Sequence, residues 1–317
     1  MSAPSSSSKL ICSLNSYAIN QTVEILKAVA GQGFRGIEIS AEPDNPMAFH
    51  PETHAFFSVS RDLDIPDHHV PMWNYSLVDL DRLVKRNNLN CESINASCEL
   101  CHPKSVELLM RRAEMARLLN VSRIITGVGC GWETEEARRT AVNNLRMACH
   151  YALQFNVEVD LKTDGWLADS PRIMLDVLEQ VNHPNLKIDY DPANVIYHNA
   201  RVDTADYLRA VASKVGIIHL RGHDAQKKDK DFPALGDGFG VYPEIFSVLA
   251  ERGFNGPLCL DLENAYLWKP QASQIPATIF YGAREREKAF DQKGLEQHRE
   301  KVQSSLEYLS TITKYVF

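Results

Sequence analysis

The feature that most constrains the fold is a row of charges repeated on one face of several short segments. In "VEVDLK", Val157, Val159 and Leu161 alternate with Glu158, Asp160 and Lys162. In "LKIDYD", Leu186, Ile188 and Tyr190 alternate with Lys187, Asp189 and Asp191. "GIIHLR" sets Ile218 and Leu220 against Ile217, His219 and Arg221, and "LCLDLE" sets three leucines against Cys259, Asp261 and Glu263. "GIEIS" places Glu38 and Ser40 on one side. A period of two is a β-strand with unlike faces. Amphipathic helical patterns such as "SVELLMRRAEMARLLN" and "SPRIMLDVLEQV" separate these runs. Eight strand–helix units in strict alternation predict an α/β fold with a parallel sheet. Eight is the number that closes a (β/α)8 TIM barrel. A doubly wound open sheet is the alternative. "GVGCG", Gly127 to Gly131, lacks the G-x-G-x-x-G spacing that would favour it.

Strands of a closed barrel carry helices on their outer face, so that face must be apolar. By elimination the charged rows point inward. Buried charges persist only when paired, hydrogen-bonded or bound to metal. The barrel interior is therefore expected to be a polar network that includes Glu158 and Asp160 and opens into a site at the strand C-termini, where barrel enzymes place their chemistry.

A chain of 317 residues fits a single barrel domain. The expected layout is a disordered tail over 1–9 and a barrel over 10–317. The barrel carries an insertion at 43–75 after the second strand and a helical extension at 270–317. The net charge of −7 argues against a nucleic-acid footprint. No apolar run reaches the roughly 20 residues that span a bilayer. The opening "MSAPSSSSKL" lacks the pattern of a secretory signal. Seven scattered cysteines suit a reduced, cytoplasmic protein, in which the four N-x-S/T sequons are chance matches. The expected partner is a small-molecule substrate, not nucleic acid or a membrane; a homo-oligomer is left open.

Several side chains collect at the predicted mouth. Asp191 ends the sixth barrel strand and opens "DPANV", where the bland reading is a turn aspartate capping local N–H groups. His219 shares its face with Arg221, with His223 and Asp224 just beyond. A lone strand histidine is more often a satisfied core residue than a ligand. Here His, Asp and Glu converge, which suits a divalent cation with oxygen and imidazole ligands. Asp261 completes the set, with Glu263 as the alternative ligand. "CELCH", Cys98 to His102, contains the haem-attachment spacing, but without a second ligand pair or an export signal it reads as a loop from which His102 could reach the site. "LGDGFG", Leu235 to Gly240, is either a close backbone approach to a ligand or an ordinary loop. The stretch 43–75, with Trp73 and Tyr75, is too long for a plain connector and reads as a lid or a partner surface.

Taken together, "GFRGIEIS", "DPANV", "IIHLR", "LGDGFG" and "ERGFNGPLCLDLE", in this order from Gly33 to Glu263, resemble the xylose isomerase-like barrels. That superfamily includes sugar isomerases and epimerases, inosose dehydratases and endonuclease IV-like repair enzymes. The resemblance implies a divalent ion, Mn²⁺ or Mg²⁺ with Zn²⁺ or Co²⁺ as alternatives. Four side chains from the ends of barrel strands five to eight, usually Glu, Asp, His and Glu, would hold it. Carried over, three of them are Asp191, His219 and Asp261, and the first falls on Lys162, which breaks the pattern. Asn194 stands where the repair enzymes keep a histidine, and the acidic charge opposes DNA binding. The implied chemistry is proton removal beside a carbonyl, with Lys162, Asp261 and His219 as catalytic candidates. Asn194, Arg221, Glu38, His102, Trp73 and Glu263 are the candidates for substrate contact. An isomerase or epimerase of a sugar, polyol or hydroxy-carbonyl compound is the first expectation. A lyase or dehydratase is the second, and a barrel that binds without turnover the third. Lys162 itself is a base with a lowered pKa, a fixed cation that stabilises an enediolate, or an inert partner of Asp160 or Asp191.

Overall fold

A computed structural model of the chain describes residues 9–14, 22–41, 48–50, 55–57, 76–129, 133–198, 202–223, 233–238, 240–262 and 292–313. Eight strands close into one parallel barrel: β1 (Leu10–Ser13), β2 (Gly36–Ser40), β5 (Asn90–Asn95), β6 (Arg123–Thr126), β7 (Glu158–Lys162), β8 (Leu186–Tyr190), β9 (Val215–Leu220) and β10 (Leu258–Leu260). They neighbour one another in chain order, and β10 pairs with β1 to complete the ring. The TIM barrel expected from the alternation is the fold. One element was not expected: β3 (Ala48–His50) and β4 (Ala55–Phe57) form an antiparallel pair inside the 43–75 stretch. Trp73 and Tyr75 lie outside the described residues.

Helices follow the strands: α1 (Thr22–Gly31), α2 (Leu77–Arg86), α3 (Ser105–Leu118), α4 (Glu135–Leu153), α5 (Pro171–Val181), α6 (Pro192–His198), α7 (Thr204–Val211), α8 (Tyr242–Glu251) and the C-terminal α9 (Gln292–Thr313). Their starts are written locally. The Ser76, Thr134 and Ser170 side chains accept from the N–H groups of Asp79, Ala137 and Ile173, which answers donors a helix cannot pair itself. Pro171 adds a preset first turn to α5, and Asn182 ends it in the left-handed region. No described helix is long and apolar enough to cross a membrane.

The alternating faces sort as physics requires. Ile188, Tyr190, Ile218, Leu220, Leu258 and Leu260 join the large apolar core shared with the helices. Ile11, Ile125, Ile217 and Cys259 form a separate apolar cluster on the other face of the sheet, inside the barrel. Arg123 binds Glu158 and Asp160, each at 3.2 Å. Asp160 is fully buried as expected, but the Glu158 side chain is 36% exposed, because it sits at the first residue of its strand. Gly216 permits this arrangement: a Cβ there would lie 2.2 Å from Asp160 Oδ1 and 2.9 Å from an Arg123 nitrogen.

Candidate active site

The strand ends deliver a compact group of charges. Lys162, the last residue of β7, is almost completely buried. Its Nζ lies 3.8 Å from Asp189 Oδ2, 3.8 Å from Asp191 Oδ2 and 3.9 Å from Asp261 Oδ2. Asp160 is not among these partners; it belongs to Arg123. Arg221 follows β9 and bridges two of the same carboxylates. Its Nε is 3.2 Å from Asp191 Oδ2, and a terminal nitrogen donates to Asp261 Oδ2. Burial and the Arg221 charge push Lys162 down, but Asp189, Asp191 and Asp261 outweigh them and hold its pKa above the ordinary lysine value. The three carboxylates thus favour the ammonium form of Lys162, which is the direction opposite to that of a base with a lowered pKa.

Asp191 carries two duties on its two oxygens. Oδ1 accepts from the N–H groups of Ala193 and Asn194 at 3.0 and 3.1 Å, the capping role of a turn aspartate. Oδ2 faces Lys162 and Arg221. The Thr163 hydroxyl fixes the backbone: Asp191 N–H donates to it at 2.8 Å, and it donates to the Asp191 carbonyl at 3.2 Å. Asn194 is buried in the first turn of α6 and meets the cluster through its backbone. Burial raises the Asp261 carboxyl, yet Arg221, Lys162 and His219 together hold it below the usual carboxylate range.

His219 is gripped from both sides. Its Nδ1 is 2.6 Å from Asp189 Oδ1, and its Nε2 is 3.1 Å from Glu38 Oε1. Glu38 also accepts from the Ser13 and Ser93 hydroxyls at 3.2 and 2.8 Å. The barrel register shifts at Ile188/Asp189 and at Ile37/Glu38, so both partners of His219 sit where a bulge re-aims a side chain. Burial opposes a charge on His219, but Asp189 overcomes it and the imidazole is held well above its ordinary value. Opposing burial, His219 keeps Glu38 below the usual range. His219 is thus an imidazolium between two carboxylates.

Other expected residues fall elsewhere. His102 lies in the loop before α3, partly exposed, where its Nδ1 accepts from Lys104 N–H and its carbonyl from the Asn144 amide. Cys98 and Cys101 are free thiols pushed up to about 12 by burial. In "LGDGFG", Gly236 is shaped by the Tyr308 ring of α9, 2.7 Å from where its Cβ would be, and Leu235 N–H donates to Ser305. The close approach there is to α9. Glu263, Asp224 and Trp73 lie outside the described residues. Asp189 was visible in the sequence as an inward aspartate but was not singled out; its role comes from contacts with Lys162 and His219 across the barrel. A cavity of about 460 Å³ lies beside the mouth, lined by Glu133, Trp166, Asp169 and His198 among others, and none of the clustered charges lines it.

The residues present do not fit a divalent ion at the expected position. Lys162 replaces one ligand, Arg221 binds the oxygens of two others, and both nitrogens of His219 are engaged. An ammonium and a dication about 4 Å apart repel by roughly 8 kcal/mol at an effective dielectric of 20. Glu38, His219 and Cys259 do offer ligand atoms all within 4.8 Å of one another, as the group among the described residues that could share an ion. As built, those three are an ion pair and a thiol that burial pushes up to about 12.

Comparison with known proteins agrees with this architecture. An uncharacterized protein of Methanocaldococcus jannaschii is 23% identical over 121 residues, covering 38% of this chain and 40% of the relative. A 3-dehydroshikimate dehydratase of Bacillus anthracis is 28% identical over 149 residues, covering 37% of this chain and 53% of the relative. The chain thus spans about half the length of the curated relatives it matches. Among solved structures, D-psicose 3-epimerase from Clostridium cellulolyticum H10 superposes with a TM-score of 0.66 at 15% identity, over 96% of this chain and 99% of that one. A xylose isomerase domain protein from Planctomyces limnophilus gives 0.61 at 17% identity, over 97% and 98%. The family described as xylose isomerase-like TIM barrel matches residues 26–281, and the chain belongs to it.

Proposed function

We propose that the chain is an enzyme that removes a proton beside the carbonyl of a small polyhydroxylated compound, as a sugar isomerase or epimerase does. One observation carries this reading: Lys162 and Arg221, two buried cations, converge with Asp189, Asp191 and Asp261 at the strand C-termini. Proton loss beside a carbonyl places negative charge on its oxygen. Fixed donors aimed at that charge lower the barrier because they need no reorganisation when it forms. Lys162 and Arg221 are such donors. A carboxylate is the complementary base, and Asp261 Oδ1 accepts no hydrogen bond among the described residues, so it has a lone pair for a substrate proton. Returning the proton to another carbon, or to the other face of the same carbon, completes isomerisation or epimerisation.

A second reading has its own support. Dehydration begins with the same proton transfer and then needs an acid for the departing hydroxide. The proton that Asp261 has taken can be handed to the departing hydroxide, which leaves as water, while the Lys162 ammonium beside it offsets the charge that develops. The curated relative at 28% identity is a dehydratase, acting on the hydroxy-carbonyl acid in its name.

The test is incubation with ketoses, aldoses and hydroxy-keto acids in D₂O, followed by NMR and mass spectrometry. Deuterium at the carbon beside the carbonyl, without loss of water, supports the isomerase. Loss of water with a new conjugated absorbance supports the dehydratase. Asp261→Asn should abolish either signal. A compound that binds without exchange or turnover would overturn the enzymatic reading in favour of a ligand-binding barrel.

A further inference from the structure

We infer that residue 162 decides whether this barrel mouth takes up an ion, and that the Lys162 ammonium is the cation it holds. The inference adds the source of the positive charge to the functional reading, and its test does not depend on turnover.

Three oxygens from Asp189, Asp191 and Asp261 surround one point at 3.8, 3.8 and 3.9 Å, and Nζ occupies that point. These distances exceed a hydrogen bond, so the arrangement is that of a charge enclosed by carboxylates. Asp189 Oδ2 and Asp191 Oδ2 accept no hydrogen bond among the described residues; Asp189 Oδ2 faces the ammonium, and Asp191 Oδ2 faces it together with Arg221 Nε. The enclosure comes from two strand ends, with Asp189 and Asp191 at the end of β8 and Asp261 after β10, and the Thr163 hydroxyl and the α6 N–H groups fix Asp191. It is a built cation site.

The charges show why the occupant is the side chain. Three carboxylates, Asp189, Asp191 and Asp261, meet three cations, Lys162, Arg221 and His219, so the cluster balances. Glu38, shared on the far side of His219, adds one negative charge. Uptake of a dication needs a charge deficit, and Lys162 removes it. Lys162→Glu changes the balance by two units at the point where the oxygens converge and adds a fourth carboxylate. Lys162→Gln removes the ammonium without adding a ligand.

Mn²⁺ binding to the purified full chain, after treatment with chelator, tests this through the electron paramagnetic resonance of the free aqueous ion. Mn²⁺ is chosen because thiols hold it poorly, which keeps Cys259 out of the measurement. The expected result is no stoichiometric binding by the wild type at millimolar Mn²⁺. Lys162→Glu should bind one ion at least about a hundredfold more tightly, and Lys162→Gln about tenfold more tightly, as expected for removing close like charge. One Mn²⁺ bound by the wild type as tightly as by Lys162→Glu would overturn the inference. So would a Lys162→Glu protein that melts cooperatively yet binds none. Should that variant not fold, equal binding by Lys162→Gln and wild type is the overturning result. Failure of the proposed reaction would appear separately, as absence of deuterium exchange.

Discussion

Replacing Lys162 by Met should destabilise the protein at neutral pH, because it leaves buried carboxylates facing one another. At an effective dielectric of 20, one charge pair at 3.8 Å is worth about 4 kcal/mol, so three pairs give a gross attraction of roughly 13 kcal/mol. Desolvation of the ammonium and repulsion from Arg221 consume most of it. Removing one partner of a buried ion pair typically costs about 3–5 kcal/mol, and that is the expected loss. With an unfolding entropy of about 2.1 cal/mol/K per residue over 317 residues, the melting temperature should fall by about 4–8 °C. Calorimetry or circular dichroism at a series of pH values measures it. The pH dependence has a definite sign. Asp261 is held below the ordinary carboxylate range in the fold, so its contribution is complete above the unfolded pKa and is lost as pH falls through the folded value. Part of that lowering comes from Lys162, so the gap between variant and wild type should narrow in acid. Lys162, with a raised pKa, contributes fully below the ordinary lysine value and loses its contribution only as pH rises through the folded one. A variant melting within a degree of wild type at pH 7, or above it, would refute the claim that the carboxylates depend on this cation.

The opposite end of the barrel makes two further predictions. Burial pushes Asp160 up to about 7 despite Arg123, so its stabilising contribution is present below the ordinary carboxyl pKa and lost as pH rises through about 7. Urea unfolding at pH 5 and pH 8 should show wild type losing about 2–3 kcal/mol relative to Asp160→Asn across that interval; parallel curves would show that Asp160 does not titrate there. Gly216→Ala should lose about 3 kcal/mol, because the new methyl meets Asp160 Oδ1 at 2.2 Å. Adding Asp160→Ala should recover part of that loss in the same assay, and additive losses would locate the clash elsewhere.

The sequence exposed the barrel because its strands have incompatible faces: Ile188 and Tyr190 must lie under helices, so Lys187 and Asp189 cannot. It also exposed most of the mouth, since Lys162, Asp191 and Arg221 end such rows and Asp261 lies in another. It did not expose the pairing. Glu38 meets His219 across 181 residues, and nothing local to either segment specifies that contact. Alternation gives the face a side chain shares but not the neighbour it finds there. The β3–β4 pair was missed for a related reason: two three-residue strands are too short for a period to register. "DPANV" was read as a turn, and it is both a turn and the start of α6, because the aspartate that leaves the strand caps the helix.

The Tyr242 hydroxyl accepts from the Arg221 N–H at 2.6 Å and donates back to the Arg221 carbonyl. One tyrosine at the start of α8 therefore fastens the end of β9. Gly222 lies against the Pro233 carbonyl and Gly238 against the His223 carbonyl, approaches that a Cβ at either glycine would block. The chain leaves and re-enters this fastening at nearly one place. The aim of the guanidinium at Asp191 and Asp261 is therefore set in part by a hydroxyl on another element, and loosening Tyr242 would loosen the strand end that carries the charge.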